Sequence, residues 1–277
     1  MRSKGWLIGL LMVAAARAAA QEPVRTEAIV RQNPEQRLFV ARVNLADPRV
    51  SLAVARGGAD PDGTGPWETV LLTTSAIARA SDFDLAINTV FFSHRTPDND
   101  PKKYLAGQWA SALNTVIIDG QPVTPSNGVA LLSFDAQNRA AIGTIGGRVP
   151  DGTWQAAAGS RQIVTAGQNT GGDDTARHPR TAAGLTGDGR TLVLLVADGR
   201  RPGWASGLTL AELAQEMIAL GCRDAINFDG GGSSTMVAKT PDGKHKVLNT
   251  PSDGSTFLLP LSVERPVPYV LGVRVKR

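Results

Sequence analysis

Asp229 is followed by Gly230, Gly231 and Gly232, and then by Ser233, Ser234 and Thr235. A carboxylate beside three glycines and three hydroxyls suits an anionic ligand. Glycines let the backbone take unusual dihedrals and let a ligand come close to its N–H groups. Consecutive N–H groups in such a turn can form an anion-holding concavity. The hydroxyls of Ser233 and Ser234 add donors, so the expected guest is a phosphate or the charge developing on a leaving phosphate. For an isolated Asp-Gly-Gly-Gly, a purely structural turn is the better reading. The context changes this, because His178 and Arg180 precede a strand-like run and Asp198 follows another. Polar residues at strand ends lie where rigid scaffolds carry sites. Arg180 could clamp phosphate through two parallel hydrogen bonds, with Asp198 and Asp229 as paired carboxylates facing one ligand. Each has a structural alternative: an Asx turn before Gly199 for Asp198, a surface ion pair for Arg180, and a hydrogen bond to its own loop for His178.

Other chemistries find less support. His94, His178 and His245 are far apart and none stands in a His-Glu-x-x-His spacing, so zinc is not expected. There is no Gly-x-Ser-x-Gly elbow, no phosphate-binding Gly-x-x-x-x-Gly-Lys-Ser/Thr loop and no dinucleotide fingerprint. The single cysteine, Cys222, excludes an intramolecular disulfide and reads as a small buried apolar residue. No cofactor is expected; a divalent cation near Asp229 is compatible with the sequence and not required by it.

The elements that must hold these groups read mostly as strands. "EQRLFVARVNL" (35–45) and "VSLAVAR" (50–56) are valine- and leucine-rich runs separated by Asp47-Pro48. "TVLLTTSAIARA" (69–80) has helical spacing, "DLAINTVFF" (84–92) is a buried-strand pattern, and "SHRTPDNDPKKY" (93–104) is a polar, proline-broken loop. Asp119-Gly120 and Asp188-Gly189 sit between apolar runs and favour tight hairpin turns, which predicts an antiparallel meander. From Thr209 a helix is expected. Glu212 stands at the capping-box distance, Leu210, Leu213, Ala214 and Met217 form an apolar stripe, and Gly221 ends it. "DAINFD" (224–229) and "YVLGVRVKR" (269–277) read as further strands. The expected fold class is α+β: one domain over 21–277, with a mixed, largely antiparallel sheet and a few helices packed on it.

Residues 1–20, "MRSKGWLIGLLMVAAARAAA", have the charged, apolar, small-residue layout of a secretory signal. The apolar stretch is short for a membrane span, so no stable span is expected after its removal and the destination is the periplasm or the exterior. The segment holds Arg2, Lys4 and Arg17 and no acid, so without it the formal charge falls from +4 to +1. No basic run remains, which leaves no electrostatic case for nucleic acid.

Residues 178–237, "HPRTAAGLTGDGRTLVLLVADGRRPGWASGLTLAELAQEMIALGCRDAINFDGGGSSTMV", resemble the phosphodiester glycosidase family. The Pro-Arg-Thr-Ala, Asp-Gly-Arg, Leu-x-Glu-Leu-Ala and Asn-x-Asp-Gly-Gly-Gly-Ser segments occur in the family's order, and "NTPSDG" (249–254) and "ERPVP" (264–268) look like its closing segments. The resemblance covers about 85–275. It implies an exported hydrolase that cleaves between a sugar's anomeric carbon and a phosphodiester phosphate, on an envelope or extracellular glycoconjugate. A sugar-phosphate or polysaccharide would be the partner. On this reading Asp229, Asp198, Arg180 and His178 form the catalytic set. Asn88, Glu212, Asn227 and the Gly230–Gly231–Gly232–Ser233–Ser234 loop bind substrate, although Glu212 is fully explained by capping. A non-catalytic polysaccharide-binding module and a glycosidase acting on non-phosphorylated glycans are the alternatives. One departure stands out. In "NTVFF" (88–92), Thr89 and Val90 replace the family's small pair, which predicts a narrower pocket if substrate approaches the backbone there.

Overall fold

The structure, a computed structural model, describes residues 22–96, 100, 102–124, 129–144, 146, 149–255 and 260–277. The proposed leader, 1–20, lies outside the described residues, as do positions 97–99 and 101 of the polar 93–104 segment.

A seven-stranded sheet forms the backbone of the fold. Its spatial order is Val24–Arg31, Gln36–Asn44, Thr191–Ala197, Arg180–Thr186, Cys222–Asn227, Arg161–Thr165 and Gln168–Asn169, and its pairs are antiparallel. The run from Leu192 to Ala197 is apolar throughout because both of its faces are covered. Leu192, Leu194 and Val196 enter the main core, while Val193, Leu195 and Ala197 enter a second core under the helix Leu210–Ala219. That helix buries Leu210, Leu213, Ala214 and Met217, as its stripe predicts. Leu213 and Met217 each contribute roughly 1.5–3 kcal/mol relative to an exposed position. Gly184 lets the helix approach, since a Cβ there would lie 2.6 Å from Cys222 Sγ and 2.7 Å from Met217 Cε. Cys222 is buried and burial pushes its thiol up to about 12, so it packs and does not react.

The main core is shared with two five-stranded antiparallel sheets. One has the order Ala140–Thr144, Ala130–Phe134, Gln155–Ala158, Val116–Ile118, Gln121–Pro122. Asp119 and Gly120 both have positive φ and close its hairpin as expected. The other has the order His245–Val247, Met236–Lys239, Leu85–Asn88, Tyr269–Val275, Val50–Arg56. The α+β expectation holds, with the described strand pairs antiparallel and two α-helices packed on the sheets.

Two elements depart from the sequence reading. The helix expected over 69–80 is only Thr74–Ala80, because the Thr73 hydroxyl accepts from Ala76 N and starts it there. Thr69–Val70 instead pairs with Trp109–Ala112. The strand expected over 84–92 splits into Leu85–Asn88 and Phe92–His94, which takes His94 out of the polar loop and onto a three-stranded sheet.

Gly272 carries a sharp packing constraint. A Cβ there would lie 2.1 Å from the ring of the fully buried Phe83. Gly272→Ala is therefore expected to cost about 2–3 kcal/mol, read as a lower urea midpoint at unchanged slope.

Candidate active site

The strand register brings the sequence candidates to one end of the large sheet. Arg180 begins a strand opposite Ala197, so Asp198 is its near neighbour, and Asn227 lies opposite Ala182 on the other side. Asp229 follows two residues later. Asn88, at the end of a strand in the other sheet, ties the two together there. Its Nδ2 donates to Asp229 O at 2.7 Å, and its Oδ1 accepts from Thr181 Oγ1 at 2.8 Å and from Thr235 N at 3.1 Å. Asp229 N donates to Thr89 O at 2.7 Å. The carboxylate is thus fixed where two sheets meet.

Around it opens a cleft of about 240 Å³, lined by Phe91, His178, Arg180, Arg200, Asp229, Gly230, Gly231 and Arg265. Asp229 is the sole acid in this lining, against three arginines. Burial pushes its carboxyl up to about 6, against the opposing pull of the Ser233 side chain, Arg265, the Gly230 N–H and Arg200. Arg180 is 9% exposed; its Nε donates to Leu208 O at 3.0 Å, and its Nη2 reaches Ala176 O at 3.2 Å and Asp174 Oδ2 at 3.4 Å. Arg200 has φ 58°, in the left-handed region, a cost tolerated where the surroundings fix it. Its Nη2 donates to His178 Nδ1 at 3.1 Å. A guanidinium cannot accept, so Nδ1 bears the lone pair and the neutral ring carries its proton on Nε2. Burial, then Arg200 and Arg180, lower the His178 pKa and keep it neutral.

The three glycines answer to different neighbours. A Cβ on Gly230 would lie 2.7 Å from Pro179 O; on Gly231, at φ +62°, 2.9 Å from Arg200 Nη1; on Gly232, 2.5 Å from Arg265 Nη2 and 2.6 Å from Asp253 Oδ1. Each glycine makes room for a group of the site. Four of the amides expected to form the cup are engaged within the protein. The N–H of Gly231 donates to Pro179 O, that of Gly230 to Asp229 Oδ1, that of Ser233 to Gly230 O and that of Ser234 to Gly231 O. Ser233, Ser234 and Thr235 are buried and line no part of the cleft. Positive charge at this site comes from guanidinium groups instead.

Other sequence candidates take supporting positions. Asp198 is 2% exposed and outside the cleft lining. Its carboxylate accepts from Thr250 N at 2.9 Å, Asn249 Nδ2 at 3.2 Å and Trp204 Nε1 at 3.3 Å, and burial raises its pKa. It anchors the 249–254 segment that carries Asp253, the partner of Arg265 at 2.8 Å. Glu212 completes the capping box with Thr209 and pairs with Arg177; it does not line the cleft. Asn227 is buried and donates to Ser160 Oγ at 2.9 Å. Thr89 and Val90 are also buried, and the Thr89 hydroxyl donates to Tyr269 O at 3.2 Å. The narrowing expected from this pair is therefore absent from the cleft lining, where Phe91 stands instead. Arg200 and Arg265 are not among the residues the sequence assigns to the site, and Phe91 enters the sequence reading as a family match in "NTVFF" with no site role. Arg200 stands in the Asp-Gly-Arg segment and Arg265 in "ERPVP", both of which carry the family resemblance, but nothing in either segment marks the arginine itself as facing the cleft.

The structure thus sets a single carboxylate among arginines at a joint between antiparallel sheets. The phosphodiester glycosidase profile matches residues 81–274, which include every residue lining the cleft, and the chain belongs to that family. Solved structures share the fold. The catalytic domain of zebrafish N-acetylglucosamine-1-phosphodiester α-N-acetylglucosaminidase, auto-inhibited by its pro-peptide, aligns at TM-score 0.65 and 18% identity over 92% of this chain and 82% of its own. A Burkholderia pseudomallei protein described as exported aligns at 0.63 and 18% over 87% of this chain and 74% of its own. In sequence, a SPbeta prophage-derived uncharacterized protein of Bacillus subtilis, YomE, is 39% identical over 90 residues. That segment is 32% of this chain and 13% of YomE, so the chain spans a small part of this relative.

Proposed function

We propose that this chain is an exported hydrolase that cleaves the bond between the anomeric carbon of a sugar and the oxygen of a phosphodiester. The observation that carries this reading is the lone carboxylate, Asp229, facing a cleft with Arg180, Arg200 and Arg265. In the reaction the carbon–oxygen bond breaks, its electron pair stays on the phosphate, and water supplies hydroxyl to the carbon and a proton to the medium. Ordinary glycosidases need a second carboxyl to protonate a basic leaving oxygen. A phosphate leaves without that help, so one carboxylate and a set of cations are sufficient. Arg200, Arg265 and Arg180 stabilise the charge gathering on the phosphate. Ionised Asp229 faces the electron-poor anomeric carbon, either attacking it or taking a proton from the attacking water. His178, neutral, offers its Nε2–H to an oxygen of the substrate. The zebrafish relative's name, a phosphodiester glucosaminidase, supports the same bond class, and the description of the Burkholderia relative as exported, with the layout of residues 1–20, supports an extracytoplasmic site of action.

The test is incubation of the protein with a panel of sugar phosphodiesters, nucleoside-diphosphate sugars and neutral aryl glycosides, with identification of the released products. Free sugar and a phosphomonoester are expected. Retention of an anionic glycan without product would sink the hydrolase reading, and cleavage of neutral glycosides indifferent to Arg200→Ala would sink the phosphate reading. The ionised form of Asp229 is the working form, so kcat/KM should rise with pH and level off above an apparent pKa near 6. A flat profile from about pH 5 to 7.5 would remove Asp229 from this role.

A further inference from the structure

We propose that Tyr104 is a positioning residue for Arg265, its ring face holding the guanidinium plane in the orientation that meets an anion in the cleft. The inference rests on the reading of the cleft as a phosphate site.

Arg265 Cζ lies 3.9 Å from the centroid of the Tyr104 ring. Its Nη2 donates to Asp253 Oδ1 at 2.8 Å, and Gly232 clears the space beneath the pair. One hydrogen bond at one nitrogen leaves the guanidinium plane free to turn about that contact. An aromatic face removes the freedom, because the ring quadrupole attracts the cation across its whole plane. Tyr104 is itself held: His94 stacks on it with centroids 4.6 Å apart and planes at 29°, and Phe92 meets it edge-on at 5.9 Å and 74°. Both partners belong to the strand Phe92–His94, paired with Trp109–Ala112. Burial lowers the His94 pKa, so the ring stacked on Tyr104 stays neutral and does not compete with Arg265 for it. The chain of contact runs from a paired strand, through an aromatic stack, to a cation lining the cleft.

The competing role is structural: the stack could merely pin the segment that carries Arg265. A double-mutant cycle separates the two. Inorganic phosphate is titrated calorimetrically into the full chain, with thermal melting recorded for each variant. Tyr104→Phe keeps the ring and is expected within about twofold of wild type, whereas Tyr104→Leu keeps the bulk, loses the π face and is expected to bind roughly five- to tenfold more weakly. Tyr104→Met, also ringless, should match Leu and serves if Leu does not fold. Arg265→Ala is expected to lose more, and adding Tyr104→Leu to it should lose nothing further. Wild-type affinity in the ringless variants overturns the proposal. So does an equal loss in Phe, which would implicate the hydroxyl, or a Leu penalty that persists without Arg265. Failure of the wild-type protein to bind phosphate overturns the anion site itself, a result distinct from any of these.

Discussion

Asp229→Asn is expected to lower kcat/KM for a sugar phosphodiester by roughly 10³–10⁴-fold while leaving the fold intact. The amide is nearly isosteric. Its oxygen can still accept from Gly230 N, and the backbone bonds of residue 229 to Thr89 and Asn88 do not involve the side chain. What disappears is the negative charge facing the anomeric carbon and the capacity to bond to it or take a proton. Stability should move the other way. The carboxyl titrates near 6 in the folded chain against 3.8 for the free group, so between those values the folded state holds the proton more tightly. Stability therefore falls as pH rises from about 4 to about 6, and the penalty persists above that range. Asparagine carries no such penalty. The variant should be at least as stable as wild type at pH 8, with the advantage shrinking toward pH 4, where the folded carboxyl is neutral. Sugar release at the wild-type rate would defeat the catalytic assignment. A loss of activity accompanied by a lower urea midpoint at pH 8 would mean that the carboxylate is structural.

The legible parts of this molecule are those where local chemistry and tertiary need agree. Thr209 and Glu212 announced the helix start because the capping box closes within four residues. The Asp119-Gly120 hairpin was legible because positive φ is a local demand. The apolar run before Asp198 reads as a strand, and its unbroken apolar character from Leu192 to Ala197 follows from both faces being covered. The helix over 69–80 was overextended, since Thr69–Val70 owes its strand state to Trp109–Ala112, a partner that the local spacing does not reveal. In the site, Asp229, Arg180 and His178 were legible as polar residues at strand ends. Asp198 met the same criterion, yet its carboxylate faces Asn249 and Thr250. Position at a strand end says where a residue is and not which way it faces. Arg200 and Arg265 lie in segments that carry the family resemblance, but their role was not legible there, because only folding carries each guanidinium beside Gly231 or Gly232. The glycine run was read as an anion cup because its free amides are visible in sequence and their internal partners are not.

That revised role for the glycines makes the second large prediction specific. Alanine at each of the three positions meets a different obstacle. At Gly231 it meets the far end of Arg200 and the strain of a positive φ, and at Gly232 the ends of Arg265 and Asp253, in each case side chains and not backbone. At Gly230 it meets the carbonyl oxygen of Pro179 at 2.7 Å, and that oxygen also accepts from Gly231 N at 2.9 Å. Pro179 lies between His178 and Arg180, so it cannot retreat without taking two lining residues with it. Gly230→Ala must therefore push the Asp229 loop and the His178–Arg180 segment apart. A displacement on the order of 1 Å at a reacting centre costs about 10²-fold, so kcat/KM should fall by roughly that factor or more. The overpacking should cost about 1–3 kcal/mol in stability. Gly187→Ala is the matched control, because nothing lies within 4 Å of a Cβ at that turn position, and it should leave both quantities near wild type. If Gly230→Ala turned over as fast as Gly187→Ala, the contact between the loop and Pro179 would not govern the site, and the spacing of carboxylate and cations would have to be fixed by the Asn88 bridge alone.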